Sequence, residues 1–181
     1  MAKGAYVGVD GKARKITSGY VGVSGKARKI VKAYVGIGGV ARPCWSAGKK
    51  LEYYGAITPL SSSGNYDFSA TTVGDYALFG GSLYYRTIDA YDKSLTRSTA
   101  EWNTQRNYLS ATTVGNYALF AGGYNGGKFY TTVDAYDTSL TRSTPTALIR
   151  KREDLAATTI GNYALFGGGY SSTTVDAYTL V

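Results

Sequence analysis

The sequence predicts an all-β protein built from short antiparallel strands. Two sets of internal repeats and the residue composition predict it. Residues 1–50 hold three copies of a short unit, AYVGVDGKARKI (5–16), GYVGVSGKARKI (19–30) and AYVGIGGVARPC (33–44), with Tyr6, Tyr20 and Tyr34 at intervals of 14. Residues 70–178 hold three copies of a longer unit that opens on ATTVG or ATTIG, continues YALF and closes IDAY or VDAY. The chain has 24 Gly, 18 Tyr and 3 Pro, a balance that favours strands and tight turns over helices. No segment carries an apolar stripe at helical spacing.

Each short unit reads as a hairpin. A β-prone half such as Tyr-Val-Gly-Val is followed by Asp10-Gly11, Ser24-Gly25 or Gly38-Gly39, then by a return half such as Lys-Ala-Arg-Lys-Ile. Asp-Gly and Gly-Gly suit a type I′ turn, whose two central residues need positive φ. Three hairpins make about six strands with little apolar area to bury, so the array needs another surface.

Each long unit divides into four strands. In the middle copy these are Leu109–Val114, Tyr117–Phe120, Thr132–Tyr136 and Thr141–Thr144. The anchor glycines Gly74, Gly115 and Gly161 are spaced 41 and 46 residues apart, the size of one four-stranded propeller blade. The third copy ends after its third strand, while Leu51–Gly55 (LEYYG) reads as a displaced fourth strand. Three blades are too few to close a ring, so two chains joined head to tail are expected to complete six. A dimer is favoured; a trimer is the alternative. The expected domains are a basic hairpin module over 1–48 and a half-propeller over 49–181.

The long repeats resemble Kelch repeats. The resemblance rests on the double glycines Gly80-Gly81, Gly122-Gly123 and Gly167-Gly168, on the strand-ending Tyr91, Tyr136 and Tyr178, and on Arg106 and Arg152. It departs at the position six residues after that tyrosine, where Kelch units carry Trp and this chain has Arg97 and Arg142; Leu95 and Leu140 are candidates to replace the lost packing. The resemblance implies Kelch-like blades. The GKARKI units (11–16, 25–30) and AYVGIGGVAR (33–42) resemble repeats in tail or fibre proteins of phages and prophages, which implies attachment to other virion proteins.

Composition excludes much chemistry. The chain has no histidine and one cysteine, Cys44, which reads as a small packed residue. No catalytic residue, metal ligand or cofactor is expected. Asp89, Asp134 and Asp176 recur in every copy, so they read as structural groups that bond backbone amides; Asp92 and Asp137 read as turn residues. No run is apolar enough for membrane insertion, and the N-terminus lacks a signal peptide's apolar stretch. The net charge of +8 is segregated, +10 over residues 1–50 and −2 over 51–181. Lys12, Arg14, Lys15, Lys26, Arg28 and Lys29 are the candidate attachment residues. Nucleic acid is the weaker partner for them, because RNA-recognition signatures are missing.

Binding is expected in loops that differ between copies. After the second strand these supply Tyr84, Tyr85, Tyr124, Asn125, Tyr130 and Tyr170, a composition suited to a glycan or protein surface. Trp102 is either a packing residue or a sugar-stacking platform. The Arg150–Arg152 run reads as solvated or paired with Glu153 and Asp154. The expected function is a non-enzymatic phage or prophage structural protein, made in the host cytoplasm, located in the virion and displaying loops to a host surface. The alternative is an intracellular Kelch-type interaction scaffold.

Overall fold

The computed structural model describes residues 51–61 and 67–181 in full and, between residues 6 and 46, the backbone of six strands. The chain divides into two compact units, Met1–Gly55 and Ala56–Val181. The boundary falls after Gly55, beyond the expected end of the hairpin module at residue 48. Among the described residues no helix is long and apolar enough to cross a membrane.

The first unit holds three antiparallel hairpins: β1 (Tyr6–Val9) with β2 (Lys12–Lys15), β3 (Gly19–Val23) with β4 (Lys26–Ile30), and β5 (Lys32–Ile37) with β6 (Val40–Ser46). Each is a separate two-stranded sheet rather than part of one meander. The repeat fixes the register: Val7 lies opposite Arg14, Val21 opposite Arg28 and Val35 opposite Arg42. The third hairpin shifts register between Ala33 and Tyr34, and there Pro43 stands opposite Tyr34 where the earlier copies have lysine. The three expected turns and the side chain of Cys44 lie outside the described residues.

The second unit is built from three antiparallel sheets, one per long repeat. Sheet 1 is a meander of β7 (Ser69–Val73), β8 (Tyr76–Gly80), β9 (Thr87–Tyr91) and β10 (Arg97–Glu101). Sheet 2 comprises β11 (Ser110–Val114), β12 (Tyr117–Ala121), β15 (Val133–Tyr136) and β16 (Arg142–Ser143). A small hairpin, β13 (Tyr124–Asn125) with β14 (Lys128–Phe129), sits in its loop. Sheet 3 has β17 (Leu155–Ile160), β18 (Tyr163–Gly168) and β19 (Val175–Tyr178). Leu51–Gly55, expected as a strand, forms none within the chain, and Leu51, Tyr53 and Tyr54 are exposed. The described sheets form no closed barrel or closed propeller.

Strand alternation gives each sheet two working faces. The front of sheet 1 (Val73, Leu78, Ile88, Ala90) packs on the back of sheet 2 (Ala118, Phe120, Tyr136) in one core cluster. The front of sheet 2 (Val114, Leu119, Val133, Ala135) packs on the back of sheet 3 (Ala164, Phe166) in a second. Burying one such side chain contributes roughly 1.5–3 kcal/mol. The repeated Phe and Tyr meet edge to face within each sheet, at centroid distances of 5.8, 6.0 and 5.9 Å.

Each strand-ending tyrosine also closes a strap that precedes its sheet. Tyr91 donates its hydroxyl to Thr58 O at 2.7 Å, Tyr136 to Glu101 O at 3.0 Å and Tyr178 to Thr146 O at 2.9 Å. Hydroxyl contacts tie sheet to sheet: Thr71 Oγ1 lies 2.7 Å from Thr113 Oγ1, and Thr112 Oγ1 2.8 Å from Thr159 Oγ1. Asp92 and Asp137 are turn residues. Asp92 Oδ1 accepts from Ser94 N at 2.8 Å and Thr96 N at 3.0 Å; Asp137 Oδ1 accepts from Ser139 N at 2.8 Å and Thr141 N at 2.9 Å. These turns force Leu95 and Leu140 to φ of 62° and 61°. Leu140 packs against the first core cluster; Leu95 stays exposed.

Candidate functional site

The divergent loops after the second strands are held by backbone pairing to the connections that precede their own sheet and the next one. Ser82 N donates to Arg106 O at 3.0 Å, and Gly123 N donates to Arg152 O at 2.9 Å. Tyr124 and Asn107 exchange backbone bonds of 2.8 and 3.0 Å, and Tyr170 N donates to Glu153 O at 3.0 Å. Glycine is required where these segments cross. A Cβ on Gly123 would stand 2.7 Å from Asn107 O, and one on Gly169 would stand 2.6 Å from Glu153 O. Both have φ near +100°, a region that side-chain-bearing residues rarely enter.

Side chains link the loops of sheets 1 and 2. Gln105 Nε2 donates to Tyr84 O at 2.9 Å, and Asn125 Nδ2 donates to Gln105 O at 2.8 Å. Tyr84 and Tyr85 are exposed, and both their amides bond Ser82 Oγ at 3.0 Å. Tyr124 is half-buried between Phe129 and Tyr108, at 5.4 and 6.5 Å. Tyr130 is half-buried with Lys128 Nζ 5.1 Å from its ring centre, so its face is partly occupied by a cation. Tyr170 is 71 % exposed and lines a groove of about 620 Å3 with Arg150, Lys151 and Ser172. Tyr84 and Asn125 are thus joined through Gln105, with Tyr124 beside Asn125 in the chain, while Tyr170 belongs to a separate groove on sheet 3.

Trp102 is corrected to a packing residue. It is 2 % exposed, meets Phe120 edge to face at 6.2 Å and lies under the Arg106 guanidinium at 5.2 Å, so no ligand can stack on it. Arg152 is likewise neither solvated nor paired with Glu153 or Asp154. It is buried against Asp176 and donates to Phe166 O at 3.0 Å, Gly168 O at 2.9 Å and Thr174 O at 2.6 Å. The basic residues Lys12, Arg14 and Lys15 lie on β2, and Lys26, Arg28 and Lys29 on β4; their side chains lie outside the described residues.

The repeated aspartates have partners that the sequence reading missed. Arg106 Nη2 meets Asp134 Oδ2 at 2.5 Å, and Arg142 Nη1 meets Asp134 Oδ1 at 2.8 Å. Arg97 Nε lies 3.7 Å from Asp89 Oδ1. Arg97 and Arg142, which stand where Kelch units have tryptophan, therefore serve the repeated carboxylate. The expected bonds to backbone amides are also present, from Ser61 N to Asp89 at 3.1 Å and from Ile149 N to Asp176 at 3.0 Å.

A second missed feature is an acidic rim. Asp67, Tyr108 and Asp154 open the first strands of the three sheets with φ of 66°, 53° and 53°. The Asp67 charge, with smaller contributions from burial and from Asp154 and Glu153, pushes the Tyr108 phenol up. Partial burial and the neighbouring Asp154 charge push the Glu153 carboxyl up. Each lies the same distance before its anchor glycine, Gly74, Gly115 or Gly161, and the shared positive φ marks the position as a turn that the differing side chains do not announce.

No protein-family profile matches the chain, and no curated protein matches it in sequence.

Proposed function

We propose that the chain is a non-enzymatic structural protein of a phage or prophage virion. Its basic hairpins fix it to other virion proteins, and its sheets are Kelch-like blades of a β-propeller that display loops to a host-surface glycan or protein. Two chains supply six blades. The observation that carries this reading is the contrast inside each long repeat. Residues common to the copies, such as Phe120, Tyr136 and Asp134, are buried, whereas divergent loop residues such as Tyr84, Tyr85 and Tyr170 are exposed. A repeated scaffold with variable tyrosine-rich loops suits recognition, because tyrosine gives rigid contact area with a polar tip. The +10 charge of residues 1–50 suits docking to an acidic protein surface.

Two variants test the reading separately. Deleting residues 1–48 should abolish incorporation into particles and leave the melting temperature of the sheet unit unchanged. Tyr124→Ala with Tyr130→Ala should weaken binding of labelled protein to host cells. Normal incorporation of the truncated chain sinks the attachment role. Unchanged cell binding sinks the loop surface.

A further inference from the structure

We infer that sheet 3 carries a docking surface for sheet 1 of a second copy of this chain, which also contributes Tyr54 and Gly55 as the fourth strand of sheet 3. This rests on reading the sheets as blades and names the joint between chains. The first argument is the face. Val133 and Val114 on the front of sheet 2 are 0 % and 4 % exposed under sheet 3, whereas their equivalents Val175 and Ile160 are 60 % and 67 % exposed. The chain's own repeats show what fits such a face: the Ala and Phe of the next YALF strand, as with Ala118 and Phe120 packed against sheet 1 and Ala164 and Phe166 packed against sheet 2. One such plug is left over. Ala77 and Phe79 of sheet 1 are only half-buried, while Ala118, Phe120, Ala164 and Phe166 are all fully buried.

The glycines repeat the pattern. A Cβ on the hairpin glycine Gly74 would meet Thr138 of sheet 2, and one on Gly115 would meet Leu180 of sheet 3. Each contact residue lies two positions after a strand-ending tyrosine. The equivalent Gly161 has nothing within 4 Å. Lys93 of a second copy holds the matching position after Tyr91.

The strap supplies the third argument. Thr58, Glu101 and Thr146 accept the same tyrosine bond and so are equivalent positions. Four residues before Glu101 and Thr146 stand Arg97 and Arg142, the first residues of the fourth strands β10 and β16. Four residues before Thr58 stands Tyr54. Tyr54 and Gly55 therefore occupy the fourth-strand register of whatever sheet precedes sheet 1. Among the described residues, β19 pairs only with β18 and offers a free edge. Within the chain Tyr54 is unpaired in any strand and 84 % exposed.

The joint is not identical to the two inside the chain. Ser69 Oγ donates to Leu109 O at 2.6 Å, and Ser110 Oγ donates to Leu155 O, but the equivalent residue of sheet 3 is Ala156. Arg106 and Arg152, which enter sheets 2 and 3, are matched before sheet 1 by Asn65. The joint between chains lacks that buried cation and is held by apolar contact and strand pairing, so salt should affect it little.

The test is the mass in solution of the full chain by light scattering or mass photometry. The wild type should be a dimer, at low salt and in 1 M NaCl alike. Val175→Asp and Tyr54→Pro should each give a monomer. Both positions are exposed in the single chain, so circular dichroism and melting should show each monomer folded. Mixing the two variants should restore a dimer through one intact joint, because Val175→Asp spoils only the accepting face and Tyr54→Pro only the donated strand. A wild-type monomer overturns the joint, whether its Val175–Tyr178 amides exchange fast or are protected by another part of the same chain. A dimer unaffected by both variants overturns it equally. Either failure leaves the particle-incorporation assay of the truncated chain to judge the virion reading on its own.

Discussion

Asp134→Asn should be the most damaging of the three equivalent aspartate substitutions. Asp134 is 1 % exposed and holds two arginines, one of them the fully buried Arg106. Apart from Asp134 and the Trp102 ring beneath it, the contacts of Arg106 among the described residues are long, 3.4 Å to Thr104 O and 3.4 Å to Phe120 O, and its Nε has no partner among them. Removing the carboxylate charge leaves a buried guanidinium facing a second cation, which costs about 3–5 kcal/mol. Asp176→Asn differs because Arg152 keeps three carbonyl acceptors at 2.6–3.0 Å and Asp176 is 14 % exposed. Its loss should be about 1–3 kcal/mol. Urea unfolding followed by tryptophan fluorescence reads both. With a slope of about 2 kcal/mol per molar, the Asp134 midpoint should fall by about 2 M and the Asp176 midpoint by about half as much. Equal losses, or a larger loss at Asp176, would refute the argument that alternative acceptors set the cost.

Alkaline pH should unfold the protein through its strand-ending tyrosines. Burial, and secondarily the neighbouring Asp134 and Asp176, push the phenols of Tyr136 and Tyr178 up, Tyr178 to about 12. The folded state holds these protons more tightly than the unfolded one, so their stabilisation is complete below the ordinary value of about 10 and is lost as pH rises from there through about 12. Urea midpoints should be flat between about pH 7 and 9 and fall above about pH 10, less steeply in Tyr178→Phe. Leu95→Gly should raise the unfolding free energy by about 0.5–1 kcal/mol, because an exposed leucine at positive φ is strained; a higher melting temperature checks it. Gly123→Ala should cost more than Gly126→Ala in the same assay. The first places a methyl group against a backbone oxygen, and the second has nothing within 4 Å.

The sheet framework was legible because the repeats state it three times. Each YALF strand is apolar on alternate sides and each glycine turn recurs, so β11, β12 and β15 fall within a residue or two of expectation. What pairs with what across repeats was not legible. Arg106 and Asp134 are 28 residues apart, and nothing in their spacing says that one charge satisfies the other. Arg97 and Arg142 looked like departures from a tryptophan pattern, yet they carry out a different task at the same site. Trp102 was ambiguous because a large aromatic in a divergent connection can face either way, and packing under Arg106 decided it. The loop tyrosines share a chain position without sharing a setting. Tyr124 is wedged between rings and Tyr170 lines an open groove, a difference that depends on neighbours from other repeats.

The strap geometry bears on how the sheet unit is made. Each closing tyrosine reaches back 33, 35 or 32 residues to an acceptor that precedes its own sheet. A ribosome therefore delivers every strap before the strands it closes, and no sheet waits for a distant downstream segment to satisfy its tyrosine. Separations of this size keep loop-closure entropy low for a β protein. Sheets can mature one after another as they emerge, each new repeat covering the front face of the one before. The order of synthesis and the order of burial are then the same.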